Sequence, residues 1–294
     1  VKRMFIMQRI AKLTLIILVI TAVRPSLYIG AQQHPDLKVH FIDVGQGDSI
    51  FVQTPGGKNI LIDGGRPKAG KKVVQFLRKK NVRKLDLMIA THPDIDHIGG
   101  LAQVMQSMEV NKILETGIMH STKTYARYVS QIIRQHIPID IANRNEEIDI
   151  DPAINMRILN THNDSKTNNE SSIALKLTYG KIDFLLMSDV EKEQEKRLRK
   201  RYDLNSEILK VAHHGSHTST SLKFLKEVKP NAAILTYGKG NKFGHPVDRV
   251  IDNLQKVNTA IYPTASFGNI TVRTDGQGFF ILNEKDPTSW LEAG

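Results

Sequence analysis

A layered α/β fold, with helices covering sheets, follows from three features of this 294-residue sequence. Its composition, 40% hydrophobic and 24% charged, is that of a folded globular chain and excludes a mainly disordered one. Short β-rich runs joined by glycine turns come first. Strand-like runs then alternate with helical patterns, as expected of sheets with helices packed on their faces. At roughly 150 residues per domain the length admits two domains or one large α/β domain, with room for a full core.

Lys38–Val44, Ser49–Thr54 and Asn59–Asp63 read as three strands, joined at Gly45-Gln46-Gly47 and Pro55-Gly56-Gly57. Lys71–Lys80 carries Val73, Val74, Phe76 and Leu77 on one helical side. Leu85–Ala90 is a buried strand, and Leu101–Met108 and Tyr125–Gln135 are helices. Ser165–Ser172 is the most loop-like internal stretch. Met156–Leu159, Ser172–Tyr179, Ile182–Met187, Ile208–Ala212, Ala232–Thr236 and Ala260–Pro263 read as strands. Glu191–Arg201 and Val247–Lys256 are helices between them. The first has Glu191, Glu193 and Glu195 at its start and Arg197, Arg199, Lys200 and Arg201 at its end, matching the helix dipole.

The absence of cysteine removes disulfides, thiolate metal sites and cysteine nucleophiles, so any metal must sit on His, Asp, Glu or Asn. Residues 1–31 hold five basic side chains and no acid, ahead of and around the apolar run Leu13–Val23. This is the layout of a signal peptide or, if uncleaved, an N-terminal anchor. The run is short against the roughly 20 residues of a membrane span. It predicts export to the medium or to the outer face of the membrane, with 32–294 as the folded domain. Of the 41 basic residues, 36 then belong to that domain, against 30 acidic ones. A mildly basic body weakly favours an anionic partner. The runs Lys79-Lys80 with Arg83-Lys84 and Arg197–Arg201 lack interleaved aromatics and read as solvated faces rather than nucleic-acid sites.

The densest chemical signal is Thr91-His92-Pro93-Asp94-Ile95-Asp96-His97-Ile98-Gly99-Gly100, which directly follows a predicted strand. Alternate side chains of an extended segment share a side, so His92 and Asp94 aim at one point. The following turn swings Asp96 and His97 towards a neighbouring point. Two adjacent foci suit a binuclear centre, which lowers the pKa of a bound water and stabilises attacking and leaving oxygens. The second signal, Val211-Ala212-His213-His214-Gly215-Ser216, again ends a strand. Adjacent side chains diverge, so one His binds metal and the other faces substrate. Asp189 either bridges two metals or, like Ser188, caps the helix from Glu191. His245, in Gly244-His245-Pro246, precedes a helix with proline in its first turn, where it either caps or donates to an anion. Asp43, Asp48 and Asp63 lie beside glycines at strand ends, as turn residues or as carboxylates holding a ligand histidine.

The loop His92-x-Asp94-x-Asp96-His97 resembles the H-x-H-x-D-H motif of the metallo-β-lactamase superfamily, with Asp in place of the second His. More specifically, the chain is similar to the hydrolase domains of the ComEC-type DNA-internalisation competence family. The matches are Phe41–Ser49, Ile62–Gly65, Thr91–Gly100, Leu186–Asp189, His213–Ser216 and Gly244–Pro246, in the family's order over roughly 38–283. The resemblance implies a four-layer αββα sandwich with the site at one edge of the two sheets. It implies two divalent ions: His92 and Asp94 on one, Asp96 and His97 on the other, Asp189 bridging, and His214 as the late histidine. His213 and His245 then contact the scissile phosphate or protonate the leaving group, and with Asp96 they form the candidate catalytic set. The superfamily's third early His is absent. Asn168 and Asn169 stand in its place, with His162 nearby, and the many transmembrane helices of the competence channel are missing.

The expected function is an exported binuclear-metal-dependent phosphodiesterase or nuclease acting on DNA or RNA. Oxygen-rich ligands shift the expected preference to manganese, with zinc as the second candidate. A phosphorylcholine-esterase-like hydrolase of small phosphodiesters would call for a cation-binding aromatic cage. The only tryptophan, Trp290, lies outside the motifs. A non-catalytic DNA- or wall-binding module on the same fold is the reading from another class. A true β-lactamase fits poorly with the missing histidines.

Overall fold

Strand alternation sorts apolar side chains between the faces of two sheets in this computed structural model, which describes residues 35–162 and 167–286. The expected export segment, 1–31, and Trp290 lie outside these residues. The predicted meander is β1 (Leu37–Phe41), β2 (Ile50–Gln53) and β3 (Asn59–Ile62). The predicted strand Leu85–Ala90 is divided at Asp86, whose backbone and carboxylate both bond to Asn59. Its first part, β4 (Lys84–Leu85), pairs instead with β6 (Glu109–Val110), and β5 (Leu87–Ala90) runs parallel to β3. β7 (Ile113–Glu115) and β8 (Ile139–Ile141) extend this sheet in parallel.

The second sheet holds β9 (Asn155–Asn160), β10 (Ala174–Tyr179), β11 (Ile182–Leu186), β12 (Ile208–Lys210), β13 (Ala232–Leu235) and β14 (Ala260–Pro263). β11 to β14 are parallel. A hairpin that the sequence reading did not contain, β15 (Ile270–Thr274) and β16 (Phe279–Asn283), returns to the first sheet and adds its outer strands beside β1.

Ile60, Ile62, Leu87 and Ile89 from the first sheet meet Ile158, Leu175, Phe184 and Ile208 from the second. The alternate residues Leu61, Met88 and Ala90 face outward onto α1 (Gly70–Lys79), α3 (Leu101–Ser107) and α4 (Lys123–Gln135); the short α2 (Ile95–Ile98) precedes α3. On the other side Leu185, Leu209 and Ala233 pack on α5 (Lys192–Arg199), α6 (Leu222–Val228) and α7 (Asp248–Lys256). The layers are therefore helices, sheet, sheet, helices. Among the described residues no helix is long and apolar enough to cross a membrane.

Candidate metal centre

The parallel strands of both sheets deliver polar residues from their C-terminal ends to one place. β3 is followed by Asp63, β5 by Thr91 and His92, β11 by Ser188 and Asp189, β12 by His213 and His214, and β13 by Thr236. Two glycine pairs let the loops of the first sheet close on each other: Gly64 N–H donates to the His97 carbonyl at 2.7 Å and Gly100 N–H to that of Gly65 at 2.9 Å. A Cβ on Gly100 would lie 2.1 Å from the Gly64 carbonyl oxygen, so the approach excludes any side chain there.

Asp189 is the hub. Its Oδ2 lies 3.3 Å from His97 Nε2, 3.6 Å from His214 Nε2, 3.7 Å from His213 Nε2 and 3.9 Å from His92 Nε2. His92 and His97 come from one sheet and the other three residues from its partner. Asp96 Oδ2 sits 4.0 Å from His214 Nε2, and Asp94 Oδ2 3.8 Å from His92 Nε2.

The opposite edge of each buried imidazole is tied down. His97 Nδ1 donates to Asp63 Oδ2 at 2.8 Å, and His214 Nδ1 to the Thr236 carbonyl at 2.7 Å. Thr91 Oγ1 donates to Asp63 Oδ2 at 2.6 Å, which leaves its lone pairs for Ser188 Oγ, at 2.8 Å, and for His92 Nδ1–H, at 3.0 Å. With Nδ1 protonated, each Nε2 turns a lone pair inward, which is how supporting partners prepare histidines for a cation. The Nε2 atoms of His92, His97 and His214 and Asp189 Oδ1 are buried without hydrogen bonds. Buried polar atoms are ordinarily paired. Acceptors left unpaired around one point fit a divalent cation, and His92, His97 and Asp189 all lie within its reach, as do Asp48, Asp189 and His214.

Charge balance follows the same geometry. Burial opposes charge on His97, yet Asp189 and Asp63 on its two sides outweigh that and raise its pKa well above the usual value, so a cation that takes the Nε2 lone pair would first displace a proton held against Asp189. Burial, then the charge on His97, pushes His92 down to about 3. Burial would raise Asp189, but His97 and His214 hold it well below the ordinary carboxylate range. Behind the centre Asp48 forms a buried ion pair with Lys210 and accepts from Thr236 Oγ1 at 2.5 Å. Lys210 is fully buried.

Asp189 caps nothing, because Glu191 is the N-cap of α5. The expected divergence of His213 and His214 does not occur. Both have positive φ, 48° and 54°, and this left-handed turn brings both Nε2 atoms to one oxygen of Asp189. His213 remains 19% exposed at its side chain, against 2% for His214, and faces the mouth. α7 begins at Asp248 with Val247 as N-cap, so Pro246 lies ahead of the helix rather than in its first turn. His245 stands 5.6 Å from His213 and 6.4 Å from His214, ring to ring. Burial, then His213 and His214, lowers its pKa to about 4.

Asp94 is more open than the rest, 36% exposed at its side chain, and accepts from Asn168 Nδ2 at 2.6 Å. Of the residues standing where a third early His would be, Asn168 therefore reaches the centre, whereas His162 is exposed. Among the turn carboxylates, Asp63 and Asp48 support the centre, while Asp43 pairs with Lys72 at 3.1 Å. Arg66, Lys210 and Thr236 escaped the sequence reading. A single lysine inside the apolar run of β12 was the available signal for Lys210. Arg66 lies 3.9 Å from Asp96 Oδ2 and 5.8 Å above the Phe243 ring, a contact that no local pattern reveals.

Residues 42–239 match the model of the metallo-beta-lactamase superfamily. The chain belongs to that superfamily. It is 31% identical over 257 residues to ComE operon protein 3 of Bacillus subtilis, covering 80% of this chain and 33% of the relative. It is 28% identical to the competence protein ComA of Neisseria gonorrhoeae, covering 71% and 28%. The chain thus spans about a third of the length of these curated relatives, in keeping with a ComEC-type metallo-β-lactamase domain. The metallo-β-lactamase fold protein YhfI from Bacillus subtilis superposes with a TM-score of 0.53 at 15% identity, over 81% of this chain and all of that one. Superfamily members are generally metal-dependent hydrolases that bind divalent ions.

Proposed function

We propose that this chain is an exported phosphodiester hydrolase that acts on nucleic acid with two divalent ions. The observation that carries this reading is the set of unpaired Nε2 atoms around Asp189, open on one side to His213, His245 and Arg66. His92, Asp94 and Asp189 would hold one ion, and Asp96, His97, Asp189 and His214 the other. Ions bound there supply Lewis acidity and lower the pKa of water. Asp63, Thr91 and Thr236 keep the ligand tautomers fixed. Asp96 orients the attacking water. Arg66 offers a guanidinium to a non-bridging phosphate oxygen, a bidentate geometry that lysine lacks. His213 and His245, at the mouth, are neutral imidazoles that can each donate an N–H hydrogen bond to the leaving oxygen. Competence-type relatives and the basic body support a nucleic-acid substrate. With Asp94 and Asn168 at the mouth in place of imidazoles, the ligand set favours manganese over zinc. The basic flank and apolar run of residues 1–31 support an activity outside the cell.

The test is incubation of the metal-stripped, reconstituted protein with single- and double-stranded DNA, RNA and small phosphodiesters, each divalent ion in turn. Cleavage of a nucleic acid in manganese is the expected result. Turnover of small diesters alone, or of nothing while ions bind, would refute the substrate assignment.

A further inference from the structure

The register of the first sheet puts a second set of chemical groups on its outer face, away from the centre. Gln53, Lys38, Arg273 and Phe280 stand directly opposite one another across β2, β1, β15 and β16, and so do Phe51, His40, Thr271 and Leu282. Directly paired residues share a face, so these eight side chains form two adjacent rows. α1 covers only the near part of this face. Between its C-terminal end and the two outer strands lies a cavity of about 850 Å³.

Its walls carry Lys38, Lys72, Lys79, Lys80 and Arg273 against one acid, Glu284. Asp43 and Asp36 occupy Lys72 and Arg273, but among the described residues Lys38 and Lys79 form no ion pair. The floor is polar. His40 Nε2 is buried and forms no hydrogen bond, while Nδ1 bonds Thr271 Oγ1 at 2.8 Å. Beside this cavity Phe280 is 72% exposed and Leu282 55%. The basic run Lys79-Lys80 lacks aromatics in its own sequence, yet the fold supplies Phe76 beneath it and Phe280 across the groove.

We propose that this groove is a docking site for a strand of single-stranded nucleic acid, separate from the metal centre. Lys38, Lys79 and Lys80 contact phosphates, and Phe280 stacks on a base. A cationic groove beside an exposed ring is the arrangement that holds single strands without reading their sequence. The concave shape and the polar floor at His40 and Thr271 favour a strand over a lipid surface. The inference rests on the nucleic-acid reading of the centre and extends it, because a long substrate would be held at a place remote from the one cut.

The test measures binding apart from turnover. The full chain, stripped of metal, is titrated into a fluorescein-labelled oligo-dT of about 12 nucleotides and followed by anisotropy. Phe280→Ala should weaken binding about 5-fold or more. Lys38→Glu should weaken it and lower the salt slope by about one. Lys226→Glu, on α6 in the opposite helical layer, controls for general charge and should leave binding as it was. Vesicles of anionic lipid form the second arm. Binding to vesicles but not to the oligonucleotide would overturn the proposal, as would equal effects of Lys226→Glu and Lys38→Glu. If the protein cuts no nucleic acid but binds oligo-dT through Phe280, the groove stands and the nuclease reading falls. If it cuts oligo-dT and neither Phe280→Ala nor Lys38→Glu alters affinity, the groove falls and the nuclease reading stands.

Discussion

Replacing Asp63 by asparagine isolates what a residue outside the ligand set contributes to the ligands. Asp63 is buried at φ 58°, a conformation that asparagine also tolerates, so the backbone has no reason to move. Its carboxylate accepts from Thr91 N–H at 2.9 Å, Thr91 Oγ1 at 2.6 Å and His97 Nδ1 at 2.8 Å. Asparagine keeps an oxygen for the Thr91 amide and presents N–H groups to the other two. Thr91 can rotate its hydroxyl, but His97 loses a charge-assisted bond of about 1.5–3 kcal/mol. If that bond exists to keep Nε2 free, divalent ion affinity should fall by roughly 10- to 100-fold. The assay is competition against a chromophoric chelator, with thermal melting of the metal-free protein in parallel. Affinity within about 3-fold of the parent, or loss of affinity only together with the melting transition, would refute the supporting role.

Asp189→Asn should lower ion affinity and hydrolysis by at least the roughly 100-fold seen when a supporting partner is lost, while the fold survives by circular dichroism. Free tolerance of asparagine would disprove the bridging role. Asp94→His should raise zinc affinity relative to manganese in the same chelator competition, and an unchanged ratio would defeat the oxygen-ligand argument. Burial, with Lys80 nearby, lowers His40 to about 4 from its ordinary 6.5. The neutral form is therefore the folded one, and its stabilisation is complete above pH 6.5 and lost as the pH falls towards 4. That difference corresponds to about 3 kcal/mol. Urea titrations between pH 7 and 4 should show a shallower acid loss in His40→Gln than in the parent, and parallel curves would contradict it.

The sequence carried the outline of the centre because four potential ligands, two His and two Asp, within Thr91–Gly100 and the pair His213-His214 each follow an apolar strand. It left Asp189 undecided, since a carboxylate before a helix reads equally as a cap; only the position of Glu191 at the N-cap separates the two. The convergence of His213 and His214 was illegible because it depends on two consecutive left-handed residues. Lys210 and Thr236 acquire meaning only through Asp48, 162 and 188 residues away in the chain, and such pairings leave no local pattern. β15 and β16 were missed for a related reason. Their exposed Arg273, Phe280 and Leu282 blur the apolar alternation that Ile270 and Val272 maintain on the inner face.

Because the two sheets contribute candidate ligands to one point, occupancy of the centre and cohesion of the molecule would become a single equilibrium. A cation that binds only when both sheets are assembled stabilises the folded state by an amount set by its free concentration, about 2.7 kcal/mol at a hundredfold excess over Kd. For the exported protein proposed above, that concentration would not be regulated by the cell. The same protein would therefore be robust in metal-replete surroundings and short-lived where ions are sequestered, so that the environment sets its lifetime as well as its activity.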